Sequence, residues 1–413
     1  MKILYLAHRI PYPPNKGDKI RTFNEIKYLS ESHEIHLLTL ADNPGDMKYQ
    51  DHLKKYCKQV QVIALNTRIA KLKSMMALVK KTSFSVVYFY SKQFQKILDD
   101  WLSTHRYDAV ICFSSPMAEY LFRSPAADRF FTPLSSENPA NAPVLIMDYC
   151  DLDSQKWCQY AKNSRFPLNL IYRMENLRLF EYEKQINRRF HHSVFVSETE
   201  VALFRDLYPD ARNLTSVPNG VDQDFFSSSE RVTPVRLREK ENQPVLVFTG
   251  AMDYYANIDG VTWFCHEIFP LIKKECPDAL FYIVGSNPAT AVKDLETIQG
   301  VRVTGFVEDI RPYYQYADIC VIPLRIAAGV QNKILEAMAM GKPVVTTSRA
   351  FDGINGRSPE HAMVGDSPEQ FSNAVLSLLK DEDKRTGLGK NANHFVRQAY
   401  DWKINMKRLE NLI

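Results

Sequence analysis

Short apolar runs alternate with longer stretches of helical periodicity from end to end of the 413-residue chain. This alternation predicts βα units stacked into parallel sheets. Strands are expected at 2–7, 34–40, 59–64, 108–113, 144–147 and 193–196 in the first half. The pattern then restarts at 245–249, 280–284, 301–304, 319–322 and 344–346, each run followed by a turn and a helical segment. Such a restart predicts an α/β chain with two Rossmann-like domains. Their boundary belongs near Pro218-Asn219-Gly220-Val221-Asp222, because Asn-Gly forces a turn and the stretch 227–240 is polar and featureless. The expected division is 1–220, 221–395 and a closing segment 396–413, where Trp402, Met406, Leu409 and Leu412 recur at helical spacing.

Composition narrows the class. Apolar residues make up 45% and charged residues 24%, ordinary values for a globular chain of more than one core. A net charge of +4 is too small to imply nucleic acid as a partner. The seven cysteines are scattered and form no C-x-x-C pair, which points to a reducing cytoplasm and to no zinc site. Cys112 and Cys320 lie in strand-like runs and are expected to pack as small hydrophobes. No run approaches the ~18 apolar residues of a membrane span. The expected location is cytoplasmic, with one route to the inner membrane face. Residues 61–98 contain no acid, and Arg68, Lys71, Lys73, Lys80 and Lys81 flank Ile69, Leu72, Met75, Met76 and Val79 at near-helical spacing. Residues 66–82 therefore read as a basic amphipathic helix able to lie on an anionic membrane, or as an ordinary surface helix.

Candidate chemistry falls in the loops after the second-half strands, since open parallel sheets bind ligands at the carboxyl ends of their strands. The loop Thr249–Asn257 places Gly250 directly after a buried run and carries Asp253, Tyr254 and Asn257. Gly285 and Gly305 follow the next two strands in the same way. Each glycine lets backbone N–H groups approach phosphate, and each also suits a plain turn. A fourth loop, Pro323-Leu324-Arg325, leads through Gly329, Val330, Gln331 and Asn332 into a helix expected to begin near Gly329 or Val330 and to stop at Gly341-Pro343. That helix start is an anion site where Lys333 and Arg325 would add positive charge beside a leaving pyrophosphate. Glu336, one turn on, could accept both hydroxyls of a ribose; a solvated ion pair with Lys333 is the bland alternative.

With these residues, the chain resembles a known family. Leu335-Glu336-Ala337-Met338-Ala339 before Gly341-Lys342-Pro343-Val344-Val345, the Ser216–Asp222 linker and Tyr400-Asp401-Trp402 look like retaining GT-B glycosyltransferases of family four. Thr249-Gly250 with Met252, Tyr254 and Asn257, the segment Gly329–Lys333 and the segment Met147–Ser154 look, more narrowly, like the exosortase-associated sugar transferases of exopolysaccharide clusters. The resemblance implies two Rossmann-like domains facing across a cleft, with the C-terminal helix crossing back to the first. It also implies a nucleoside diphosphate-sugar donor and transfer with retention to a saccharide or lipid-linked acceptor, with no metal and no cofactor. Carried over by position, Glu336 holds the ribose, Lys333 and Arg325 the phosphates, and Val307 the base through its backbone. One departure concerns the family's Glu-x7-Glu pattern, whose first glutamate falls at Ala328 here.

The resemblance assigns the acceptor side to the first domain. The loop from His8 to Asp18 leads into Lys16-Gly17-Asp18-Lys19-Ile20-Arg21, where Gly17 could approach donor phosphates and Lys16, Asp18 and Arg21 an anionic acceptor. Asp18 as a plain N-cap fits the same residues. Asp151 and Asp153 lie just past a strand, where one of them could orient or deprotonate the acceptor hydroxyl, capping the next helix being the alternative. A sugar-nucleotide epimerase of the same architecture and a silent binding subunit are the competing functions.

Overall fold

The computed structural model describes residues 1–75, 77–131, 142–227, 235–238, 240, 242–327 and 329–413. They form two compact units, one of Met1–Val217 with Lys403–Ile413 and one of Pro218–Trp402. The first holds a seven-stranded parallel sheet built from β1 (Lys2–Ala7), β2 (Glu34–Ala41), β3 (Gln59–Ala64), β4 (Ala109–Phe113), β5 (Val144–Cys150), β6 (His192–Phe195) and β7 (Leu214–Ser216). Its strands run in the order β3-β2-β1-β4-β5-β6-β7. The second holds six strands: β8 (Val245–Thr249), β9 (Leu280–Val284), β10 (Val301–Gly305), β11 (Ile319–Ile322), β12 (Val344–Thr346) and β13 (Met363–Val364). Their order is β10-β9-β8-β11-β12-β13. Each sheet is the doubly wound, Rossmann-like arrangement expected from the sequence.

Central strands such as VLVFT in β8 and ICVI in β11 are buried along their whole length, as they must be when helices cover both faces of a parallel sheet. Strand order reverses between β1 and β4 in the first sheet and between β8 and β11 in the second. The loops that leave these pairs diverge to opposite faces and open a crevice at each sheet's carboxyl edge.

A buried ionic cluster ties the first unit together. Arg21 is fully buried and its Nη2 donates to Asp148 at 2.6 Å, its Nη1 to the Val217 carbonyl at 2.7 Å. Glu25, one turn along the helix, lies 2.9 Å from Arg21 Nε. Arg21 thus cannot meet an acceptor, contrary to the sequence reading: it fastens the Gly17–Leu29 helix to β5 and to the end of β7. Arg21→Met would leave Asp148 charged and unpaired in the core, so it is expected to lower unfolding stability by about 3–5 kcal/mol in urea titrations. A loss below about 1 kcal/mol would contradict the cluster's structural role. The C-terminal residues also belong to this unit, where Glu410 accepts from Tyr28 at 2.9 Å and faces His33 at 3.0 Å.

Candidate active site

The loop that leaves β8 begins at Gly250, and the loop that leaves β11 leads to the Asn332–Ala339 helix. This helix starts two to three residues later than expected, with Gln331 as its N-cap in an extended conformation. Gly329 explains the delay, because its φ of +59° turns the chain and breaks helical geometry there. Ile, Leu, Glu, Ala and Met then sustain the helix, and Gly341 (φ +68°) ends it, the Lys342 N–H reaching back to the Ala337 carbonyl at 2.9 Å.

Lys333 and Glu336 stand on this helix beside the end of β8. Lys333 Nζ donates to Asn257 Oδ1 at 2.7 Å and sits 4.1 Å from the centroid of the Phe248 ring. Asn257 in turn donates through Nδ2 to the Ala251 carbonyl at 2.8 Å. Both ends of that amide are engaged, so Asn257 positions Lys333. Burial pushes the Lys333 ammonium down to about 7, with the Glu336 carboxylate acting in the opposite direction. An arriving anion would restore its charge.

Glu336 Oε2 accepts from the Tyr314 hydroxyl at 2.8 Å, and that hydroxyl lies 2.7 Å from Thr249 Oγ1. A phenol has one proton, so Tyr314 spends it on Glu336 and receives one from Thr249. Burial raises the Glu336 carboxyl above its usual range, while the Tyr314 bond and Lys333 pull it back. Tyr314 was not legible in advance: it lies in the short Arg311–Tyr316 helix, where nothing but the need of a buried phenol for a partner marks it.

The glycines serve this geometry in two ways. A Cβ at Gly250 would sit 2.9 Å from Lys333 Nζ and 2.8 Å from Asn257 Nδ2, so its absence leaves the ammonium open on that side. A Cβ at Gly285 would fall 1.7 Å from the Gly250 carbonyl oxygen. Gly285 therefore acts as packing support that lets the β8 and β9 loops interlock, with Met252 N–H donating to the Ser286 carbonyl at 2.8 Å. Gly250→Ala presses on the ends of the Lys333 and Asn257 side chains and also strains the backbone, whose φ of +157° favours glycine, so its circular dichroism melt is compared with the parent's alongside the binding test. It is expected to weaken nucleoside diphosphate binding at least about tenfold by calorimetry, equal to about 1.4 kcal/mol. Unchanged affinity would remove Gly250 from the site.

Other expected residues are placed differently. Arg325 is already engaged: its Nη2 and Nε donate to the two Asp259 carboxylate oxygens at 2.6 and 3.0 Å, and its guanidinium stacks 5.4 Å over Trp263. The planar fork fits this carboxylate two-pronged, which holds the charge in place. Asn332 Oδ1 accepts from Asn219 at 3.2 Å. Gly329 is buried, and Val330 packs against the core of its unit. Asp253 and Tyr254 are exposed on the β8 loop, and Val307 follows β10 at the sheet edge. Ala328 lies outside the described residues.

In the first unit, Lys16 and Gly17 are exposed at the start of their helix. Asp18 is not the N-cap, which is Lys16, and its carboxylate is already paired. It accepts from Arg9 Nη1 at 2.7 Å and faces His8 Nε2 at 3.3 Å, and these partners hold its carboxyl far below the usual range despite burial. Asp18 thereby pins the loop after β1. The end of β5 is bent by a register shift and by Cys150 in the left-handed region at φ +61°. Asp151 follows directly. Burial, with Glu200 adding to it, raises its carboxyl to about 7, a value suited to proton exchange at neutral pH. Asp153 lies in the first turn of the next helix, whose N-cap is Leu152. Among the described residues no group of three or more His, Cys, Asp or Glu side chains could hold a metal, and no helix is long and apolar enough to cross a membrane.

Comparison with known proteins adds three findings. The family profile described as "Glycosyl transferases group 1" matches residues 243–381, the stretch that contains the whole Gly250–Lys333–Glu336 arrangement. An uncharacterised 44.6 kDa protein of the cps region of Klebsiella pneumoniae is 22% identical over 97% of both chains. A GDP-mannose-dependent α-(1-6)-phosphatidylinositol monomannoside mannosyltransferase of Mycolicibacterium smegmatis is 24% identical over 53% of this chain and 61% of its own. Among solved structures, Anabaena HepE in complex with UDP and glucose superposes with a TM-score of 0.67 at 16% identity, over 100% of this chain and 98% of that one. Residues 243–381 thus resemble the group 1 glycosyl transferases, and the chain's two parallel-sheet units have the fold of solved GT-B structures.

Proposed function

We propose that this chain is a retaining, metal-independent glycosyltransferase of the family-four, exosortase-associated type. It moves a sugar from a nucleoside diphosphate-sugar to a saccharide or lipid-linked acceptor, in exopolysaccharide or cell-surface glycan synthesis. The observation that carries this reading is the convergence of Lys333, the start of the Asn332–Ala339 helix and the open face of Gly250 at the β8/β11 crevice. The bond from the anomeric carbon to the diphosphate breaks as the acceptor oxygen attaches to that carbon. Negative charge collects on the departing diphosphate, where the Lys333 ammonium and first-turn N–H groups stabilise it in place of a metal. Glu336, oriented by Tyr314, takes the ribose hydroxyls. Asp151 is the group assigned to the acceptor hydroxyl. The cps-region relative supports the polysaccharide setting, while HepE with UDP and the GDP-mannose-dependent relative leave two nucleotide bases to compare.

The first test is a thermal-shift screen with UDP, GDP and their sugars, because a ligand that binds only the folded state raises the melting temperature. One of the two diphosphates at 100 times its dissociation constant should add about 2.7 kcal/mol of stability. No shift with any nucleotide would sink the reading. Turnover of a nucleotide-sugar without acceptor and without loss of diphosphate would point to an epimerase instead.

A further inference from the structure

More than half of the large apolar side chains exposed among the described residues lie on two segments of the first unit. Ile69, Leu72, Met75 and Leu78 are exposed along the Thr67–Met75 helix and the short Ala77–Lys80 helix that follows, Leu72 to 69%. Phe166, at 77%, with Leu168 and Leu170 forms the tip of a helical hairpin made by Asp153–Asn163 and Leu168–Arg189, and Leu177 is exposed two turns further along. Isolated exposed apolar residues need no explanation, but a cluster does.

The two segments adjoin. Arg178, next to Leu177, donates to the Ala77 carbonyl at 2.8 Å and to the Thr82 carbonyl at 3.3 Å. Glu175, one turn before, is buried and accepts from Ser83 Oγ at 2.7 Å, Phe84 N–H at 2.6 Å and Ser85 N–H at 2.9 Å. The hairpin stem therefore holds the end of the first segment in place.

Charge identifies the occupant. Residues 66–82 and 154–174 carry nine Lys and Arg and no Asp or Glu, whereas the whole chain nets only +4. Cationic side chains interspersed with Leu, Ile, Met and Phe match an anionic bilayer, whose phosphates meet the cations while its acyl boundary takes the apolar groups. Trp157, Tyr160 and Tyr172, half-buried with ring centroids 5.4–6.0 Å apart, sit on the same hairpin and are the residue types favoured at a membrane interface.

We infer that the Thr67–Met75 helix with Leu78 and the 166–170 hairpin tip form one composite docking surface for an anionic membrane, with the hairpin tip entering the headgroup region. The inference deepens the proposed function by naming where a lipid-linked acceptor would be met, yet its test reads no nucleotide and no turnover.

The full-length protein is floated with phosphatidylcholine vesicles and with phosphatidylcholine/phosphatidylglycerol vesicles. It should rise only with the anionic vesicles, and less at high salt. Neutralising Arg68, Lys71 and Lys73 to Gln should weaken binding on the order of 100-fold, at roughly the contribution of one surface cation each. Phe166→Ser with Leu168→Ser and Leu170→Ser should weaken it even though no charge is lost. Circular dichroism melts of both variants should match the parent, so that lost flotation is not lost folding. Parent protein left behind by both vesicle types, or a hairpin variant that floats as well as the parent, would overturn the inference. So would a self-associated parent in sedimentation that the same variants dissociate, since the surface would then join copies of this chain.

Discussion

Lys333→Met is expected to cut sugar transfer by about 10²–10³-fold, the effect of removing one preorganised charge from a developing anion. The same substitution should make the ligand-free protein more stable at pH 6–7. Both effects have one origin. The ammonium is held by Asn257 and Phe248 in surroundings dense enough to push it down to about 7, well below the ordinary lysine value. Between about pH 7 and about pH 10, the unfolded chain binds a proton at this side chain that the folded chain does not. Stability therefore rises with pH through that window, and the penalty for holding the cation is full below it. Methionine removes the penalty, so its gain in melting temperature should be largest near pH 6 and should fade towards pH 10. A lysine that merely braced the fold would show the reverse, with loss of stability and little loss of rate. A slow variant that melts later would separate the two roles.

Glu336→Gln is expected to raise the dissociation constant for the nucleoside diphosphate by about 10–100-fold, at about 1.5–3 kcal/mol for charged hydrogen bonds lost. The amide keeps the volume and can still accept from Tyr314, so the fold should hold. What it loses is the charge on the second carboxylate oxygen, for which the described residues offer no donor. Discrimination between ribose and 2′-deoxyribose nucleotides should fall with it. Equal affinities of parent and variant for the ribose form would remove Glu336 from the sugar-binding role. Tyr314→Phe is the milder counterpart, since it leaves the carboxylate in place and removes only its orientation.

Strands with continuous apolar runs were legible almost to the residue, because a parallel sheet buried on both faces needs them. β8, β9, β11 and β12 begin and end where the runs do. β7 and β13 were missed for the complementary reason: Leu-Thr-Ser and Met-Val are too short to carry a period, and they exist only because a neighbouring strand pairs with them. Lys333 and Glu336 stood out because glycine, charge and helix start coincide in one segment. Their supports did not, since Tyr314, Thr249 and Asn257 reach them from separate elements, and only the fold decides which polar groups meet in space.

The readings that changed share a cause. Spacing along the chain presents Arg21, Asp18 and Arg325 as free charges facing a ligand. Each instead has a carboxylate or cation within hydrogen-bonding distance, from Asp148, Arg9 and Asp259 respectively. Sequence spacing gives charge and neighbourhood along the chain, but a long side chain is committed by whatever lies across from it. Gly285 illustrates the same limit for backbone: its glycine signal is real, and the close approach that the fold requires of it is to Gly250.

The central claim is that a nucleoside diphosphate rests on Lys333 at the start of the Asn332–Ala339 helix. Calorimetric titration with UDP and with GDP near pH 8, in buffers of different ionisation enthalpy, counts the protons taken up on binding. Free Lys333 is then largely neutral, and the diphosphate must recharge it, so uptake of about half to one proton per nucleotide is expected, with none for Lys333→Met. Binding without proton uptake, at an affinity that Lys333→Met leaves unchanged, would contradict the claim.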